Sequence, residues 1–138
     1  LMEERLVMVR STGEAGQDDY VQGDWGPELA LSYAGARHRE PSLVVDLGPL
    51  GLGFVLEAGG TGYFRLGAAR PHLEAGRLEL VPDAPEFLYP AYAVFSEASS
   101  DPALIEAALE SLRQIARAQS GMTGAAPRAR RHPARIPN

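Results

Sequence analysis

Short apolar runs alternate with amphipathic stretches along most of this chain. The β-branched run Arg5-Leu6-Val7-Met8-Val9-Arg10 predicts a strand, and Tyr20-Val21 a second short one closing a loop rich in Gly and Asp. Pro27 is pre-shaped for a first helical position, so a helix is expected from there to about Arg37, with Leu29 and Tyr33 on one face. Leu43-Val44-Val45-Asp46 reads as the next strand. Gly48-Pro49 then opens a helix expected to bury Leu50, Leu52, Phe54, Val55 and Leu56, and Gly59-Gly60 stops it. Thr61 to Arg65 is a further strand. A short helix follows to about Ala75, closed by Gly76, before Arg77 to Pro82 alternates at period two. Tyr89 to Phe95 reads as a longer strand whose early Pro90 suits a sheet edge. Asp101-Pro102 starts the most regular helix of the chain, with Leu104, Ile105, Ala108, Leu109, Leu112 and Ile115 as its apolar stripe. Glu106 and Glu110 toward its start and Arg113 and Arg117 toward its end match the helix dipole.

Strands separated by helices predict an α/β fold, a mostly parallel sheet with helices on both faces. Ligands of such sheets sit beyond the carboxyl ends of the strands, where loops meet helix N-termini. The loop Asp46-Leu47-Gly48 is such a place.

Composition narrows the chemistry. The 138 residues suit one domain, which at this length buries about two-thirds of its unfolded surface without disulfides or metals. Absence of Cys removes thiolate catalysis and Cys-ligated zinc, and favours a cytoplasmic location. All 13 basic residues are Arg, so a Walker-type phosphate loop, a Schiff base and a Lys general base are excluded. No run approaches the roughly 18 apolar residues of a membrane span, and the first residues are acidic where a signal peptide is basic. The start at Leu1, running straight into an apolar stretch, reads as a piece of a longer chain.

Charge is divided unevenly. Residues 120–138 carry four Arg and no acid among Pro and Gly, a composition expected to be a disordered tail. The remainder holds 9 Arg against 18 acids, a balance of −9 that repels nucleic acid.

Each chemical motif has a plainer reading beside it. The clusters Gly48, Gly51, Gly53 and Gly59-Gly60-Thr61-Gly62 lack the full dinucleotide spacing, and the second follows a helix C-terminus, so tight turns and close packing account for them. His38 and His72 have no partner at metal-binding spacing and read as surface histidines. No nucleophile elbow surrounds Ser11, Ser32 or Ser42, and Asp18-Asp19 sits in a loop where solvation is the default. Trp25, the single Trp, falls between a strand end and a helix start, a place equally suited to walling a ligand pocket and to plugging the core.

Order and spacing together carry a resemblance. Leu6-Val7-Met8-Val9, then Tyr20-Val21 with Asp24-Trp25-Gly26, then Ala58-Gly59-Gly60-Thr61-Gly62 and Leu73-Glu74-Ala75-Gly76-Arg77-Leu78, and a tyrosine-rich strand before a last amphipathic helix, resemble the effector-binding domain of LysR-type transcriptional regulators. The resemblance covers about residues 1–119. It implies an α/β lobe like that of type 2 periplasmic binding proteins: the second lobe over about 4–88, with the return strand and C-terminal helix at 89–119 belonging to a first lobe that is mostly missing. Family members often carry Pro where Phe64-Arg65-Leu66 stands, which makes Arg65 either a specificity device or an ordinary surface cation.

The family binds a small-molecule effector between its lobes, works as an oligomer, and contacts DNA only through a winged helix-turn-helix that these residues do not include. By that resemblance the ligand-binding residues here are Asp46, Leu47, Gly48, Phe64, Arg65 and Trp25, with no catalytic residue, cofactor or metal. Amides at the start of the helix from Pro49 can hold an anion, while Asp46 favours a hydroxyl or amine or else only caps that helix. Two other readings stay open: a small α/β enzyme using Asp46, Arg65 and His72, and a piece that serves only oligomerisation.

Overall fold

The computed structural model describes residues 1–14, 19–27, 40–96, 98 and 100–123. Its elements are β1 (Met2–Ser11), β2 (Tyr20–Gly23), β3 (Leu43–Val45), α1 (Gly48–Ala58), β4 (Thr61–Arg65), α2 (Leu66–Glu74), β5 (Leu78–Leu80), β6 (Phe87–Ala91) and α3 (Pro102–Thr123). The helix expected from Pro27 to Arg37 lies outside the described residues beyond Pro27 itself, as does the tail beyond Thr123. Residues 120–123, expected in that tail, are the last turn of α3.

One sheet organises these elements in the order β3-β2-β4-β1, with β5 and β6 sharing the far edge of β1. β2 runs parallel to both β3 and β4, whereas β1 runs antiparallel to β4, β5 and β6. The sheet is therefore mixed, where the alternation of strands and helices predicts a mostly parallel one. Alternation reports the crossovers that make β2, β3 and β4 parallel, but it carries no information about a strand that reaches the sheet middle from the chain start.

Both edges of β1 are paired, and Leu6, Val7, Met8 and Val9 are all at most 3% exposed. Alternation sends them to opposite faces. Val7 and Val9 join Val21, Phe64, Leu52, Val55, Leu66, Ala69 and Leu78 beneath α1 and α2. Leu6 and Met8 join Tyr20 and Tyr63 on the other face, covered by Val81, Ala84, Phe87 and Tyr89.

Turn chemistry sets the element ends. α1 stops where Gly59 and Gly60 take φ of 86° and 123°, values open to glycine at little steric cost. The expected strand at 89–95 is instead Phe87–Ala91, because its pairing with β1 begins at Leu6↔Phe87 and runs out at Met2↔Ala91. Beyond it Tyr92, Val94 and Phe95 are exposed.

α3 begins as expected, with the Leu104 N–H donating to Asp101 Oδ1 at 3.0 Å. None of its expected stripe is buried: Leu104, Ala108, Leu112 and Ile115 are exposed and Ile105 and Leu109 half-buried, while the buried residue of the helix is Ala116, outside that stripe. α3 is a helix attached at its edge, in contact with α2 and β1.

The burial expected within α1 divides. Gly51, Leu52 and Val55 face the sheet, but Leu50 is 65% and Phe54 40% exposed. Leu52→Ala should destabilise the chain by about 2–5 kcal/mol, while Phe54→Ala costs less than about 1 kcal/mol, measured by urea unfolding.

Candidate ligand-binding site

Because β2, β3 and β4 are parallel, Gly23, Val45 and Arg65 end at one edge of the sheet. Three connections leave from there: the loop carrying Trp25, the Asp46-Leu47 turn into α1, and Arg65 leading directly into α2.

Trp25 fills the gap between these connections. Its ring meets Tyr89 edge-on with centroids 5.5 Å apart. A Cβ placed on Gly23 would lie 2.8 Å from its Nε1, and one on Gly48 2.8 Å from the far edge of its ring. Both glycines are therefore a cradle for the indole, the close-packing role read from sequence for Gly48. Trp25 packs against the apolar clusters on both faces and also lines a cleft, so it plugs and walls at once. Its Nε1 is buried with no hydrogen-bond partner among the described residues.

That cleft, of about 180 Å³, lies between α1 and α2 above Phe64. Leu52 and Leu56 form the α1 wall and Ala68 part of the α2 wall, and the ionisable side chains of the lining are Arg65 and His72. A wider open groove of about 790 Å³ runs between β3 and α1, lined by Val44, Leu47, Leu50 and Phe54 with Asp46 and Glu57.

The six residues expected to bind ligand thus divide between two neighbouring surfaces. Trp25, Gly48, Phe64 and Arg65 meet at the cleft; Asp46 and Leu47 line the groove. Asp46 does not cap α1, whose N-cap is Leu47 without a side-chain bond. The anion-holding capacity expected of that helix start is also reduced. Pro49 has no N–H, and the Leu50 and Gly51 N–H groups donate to the Leu47 carbonyl at 3.0 and 3.1 Å, leaving Gly48 as the first-turn donor among the described residues.

The constellation of Asp46, Arg65 and His72 does not form, since Asp46 lies on the groove and the other two on the cleft. Among the described residues no group of three His, Asp or Glu side chains could hold a metal, and no helix is long and apolar enough to cross a membrane.

The sequence reading misplaces one residue and misses another. His72 is half-buried in the cleft wall rather than a surface group; the spacing Arg65, Ala68, His72 is the i, i+3, i+7 signature of one helix face that would have found it. Glu4 is only 8% exposed beside Gly67 in the first turn of α2, its Oε2 unpartnered among the described residues. The positive end of the α2 dipole favours that carboxylate.

No family model and no curated protein matches the chain. Solved structures do. The bromide-bound regulatory domain of HypT from Salmonella typhimurium superposes with a TM-score of 0.57 at 17% identity, over 85% of this chain and 63% of that one. Full-length HypT, a hypochlorite-specific LysR-type transcriptional regulator, gives 0.56 at 16% identity over 86% of this chain and 45% of its own. The fold is that of a LysR-type regulatory domain. Full-length LysG from Corynebacterium glutamicum with bound effector arginine aligns more loosely, with a TM-score of 0.50 at 13% identity over 87% of this chain and 44% of that one. The chain spans less than two thirds of the length of each of these three chains.

The Trp25 cradle has a direct test. Gly48→Ala should displace the indole, red-shift the emission of the single Trp and cost about 1–3 kcal/mol of stability, read by fluorescence and urea unfolding.

Proposed function

We propose that the chain is the effector-sensing portion of a LysR-type transcriptional regulator, with the second lobe over about 4–88 and the return strand and C-terminal helix of the first lobe over 89–119. The observation that carries this reading is the meeting of Trp25, Gly48, Phe64 and Arg65 at the carboxyl edge of three parallel strands, within a lobe of that fold. A small molecule held there biases how the lobes sit, and the regulator transmits that bias to DNA through a winged helix-turn-helix outside these residues. The lobe binds without transforming its ligand, and works in the cytoplasm. Copies associate, and the exposed Leu104, Leu112 and Ile115 of α3 are the apolar surface available for burial against the rest of the first lobe or another copy.

A sensing lobe gains stability from its ligand by mass action, by about 2.7 kcal/mol at a hundred times the dissociation constant. Thermal unfolding of the chain against a panel of organic acids, amines and neutral polar metabolites should raise the midpoint by several degrees for at least one chemical class, with the ligand recovered unchanged. A flat response across every class, or turnover of a panel member, contradicts the reading.

A further inference from the structure

Arginines in this acidic chain mostly find a carboxylate. Arg5 pairs with Glu86, Arg10 with Glu79, Arg77 with Glu57, and both Arg113 and Arg117 with Glu110. Arg65 is different: among the described residues it makes no ion pair, although acids outnumber bases 18 to 13 in the chain. It stands instead at a cleft whose lining, among the described residues, contains no acid. The nearby acids, Asp46 and Glu57, line the separate groove on the other side of α1.

We infer that the cleft between α1 and α2 binds a small carboxylate with an apolar body, and that this lobe alone supplies the site. The inference rests on the sensing reading above and names the class of ligand. Three properties of the cleft select that class. Arg65 presents a planar, permanently charged fork that matches a carboxylate through two parallel hydrogen bonds. His72, two helical turns further along α2, supplies a ring N–H in either protonation state. The remaining described wall, from Leu52, Leu56, Phe64 and Ala68, offers apolar contact and no acceptor side chain. An amine meets the guanidinium charge with no carboxylate to offset it, and a neutral amide forgoes the charged bond. An inorganic anion satisfies Arg65 but leaves the apolar wall in water.

Size agrees with this choice. About 180 Å³ is the share of roughly six waters at about 30 Å³ each, room for one ring or a short branched chain. α1 begins at the same rim, where Gly48 lines the cleft, so the positive end of its dipole favours an anion there.

Three molecules of one shape decide the matter: cyclohexanecarboxylate, cyclohexanecarboxamide and cyclohexylmethylamine, none of which absorbs where Trp25 is excited. Titrated into the 138-residue chain, only the carboxylate should give a saturable change in Trp25 emission and a rise in unfolding midpoint. Arg65→Gln should weaken its binding at least about tenfold, Arg65→Lys less, with the ligand-free midpoints of both variants unchanged. If the amine or the amide binds as tightly as the carboxylate, or if Arg65→Gln leaves affinity unchanged, the inference is wrong while the sensing reading stands. If all three molecules and the whole metabolite panel are without effect, both fall.

Discussion

Everything in this lobe is hung on the two-sided pairing of β1. The strand donates to and accepts from β4 along one edge and β5 and β6 along the other, and its four central side chains feed both apolar clusters. Losing β1 would separate β2, β3 and β4 from β5 and β6 and open both faces together. The run Leu6-Val7-Met8-Val9 suits that place, because a strand buried on both faces has no polar position to spare. With β1 fixed, the parallel trio β2, β3 and β4 is held in register, and their shared carboxyl edge becomes the place where three connections converge.

The extents of most elements are legible in the chain because local chemistry writes them. Gly59-Gly60, Gly76 and Asp101-Pro102 each force an end or a start, and the structure obeys all three. Strand order is not written locally. Leu6 lies opposite Arg65 and Phe87, pairings decided by the collapse of the whole lobe. α1 was misread for a related reason. Leu50, Leu52, Phe54, Val55 and Leu56 surround the helix with apolar side chains, so no polar face orients it and only packing shows that Gly51, Leu52 and Val55 meet the sheet.

The candidate site was half legible. Trp25, Gly48, Phe64 and Arg65 come together as expected of a strand-end site, while Asp46 and Leu47 turn onto the neighbouring groove. Position in the sequence could place the 46–48 loop at the correct edge but not on the correct side of α1. The electrostatic character of the cleft was legible only in three dimensions. It depends on Arg65 escaping the ion pairs that engage Arg5, Arg10, Arg77, Arg113 and Arg117, and on His72 arriving from the far end of α2.

The dependence on β1 and the loose attachment of α3 make a single claim: the sheet with α1 and α2 is one cooperative unit, and α3 is held to it only at its edge. Native-state amide hydrogen exchange on the chain in dilute, monomeric solution tests it most directly. Amides of Leu6 to Arg10 should be the slowest, opening only with global unfolding, and those of α3 from Ile105 to Ala116 should exchange at least about a hundredfold faster, the ratio for a difference of about 2.7 kcal/mol in opening free energy. Exchange in α3 as slow as in β1 would contradict the account, because it would make the helix part of the same cooperative core.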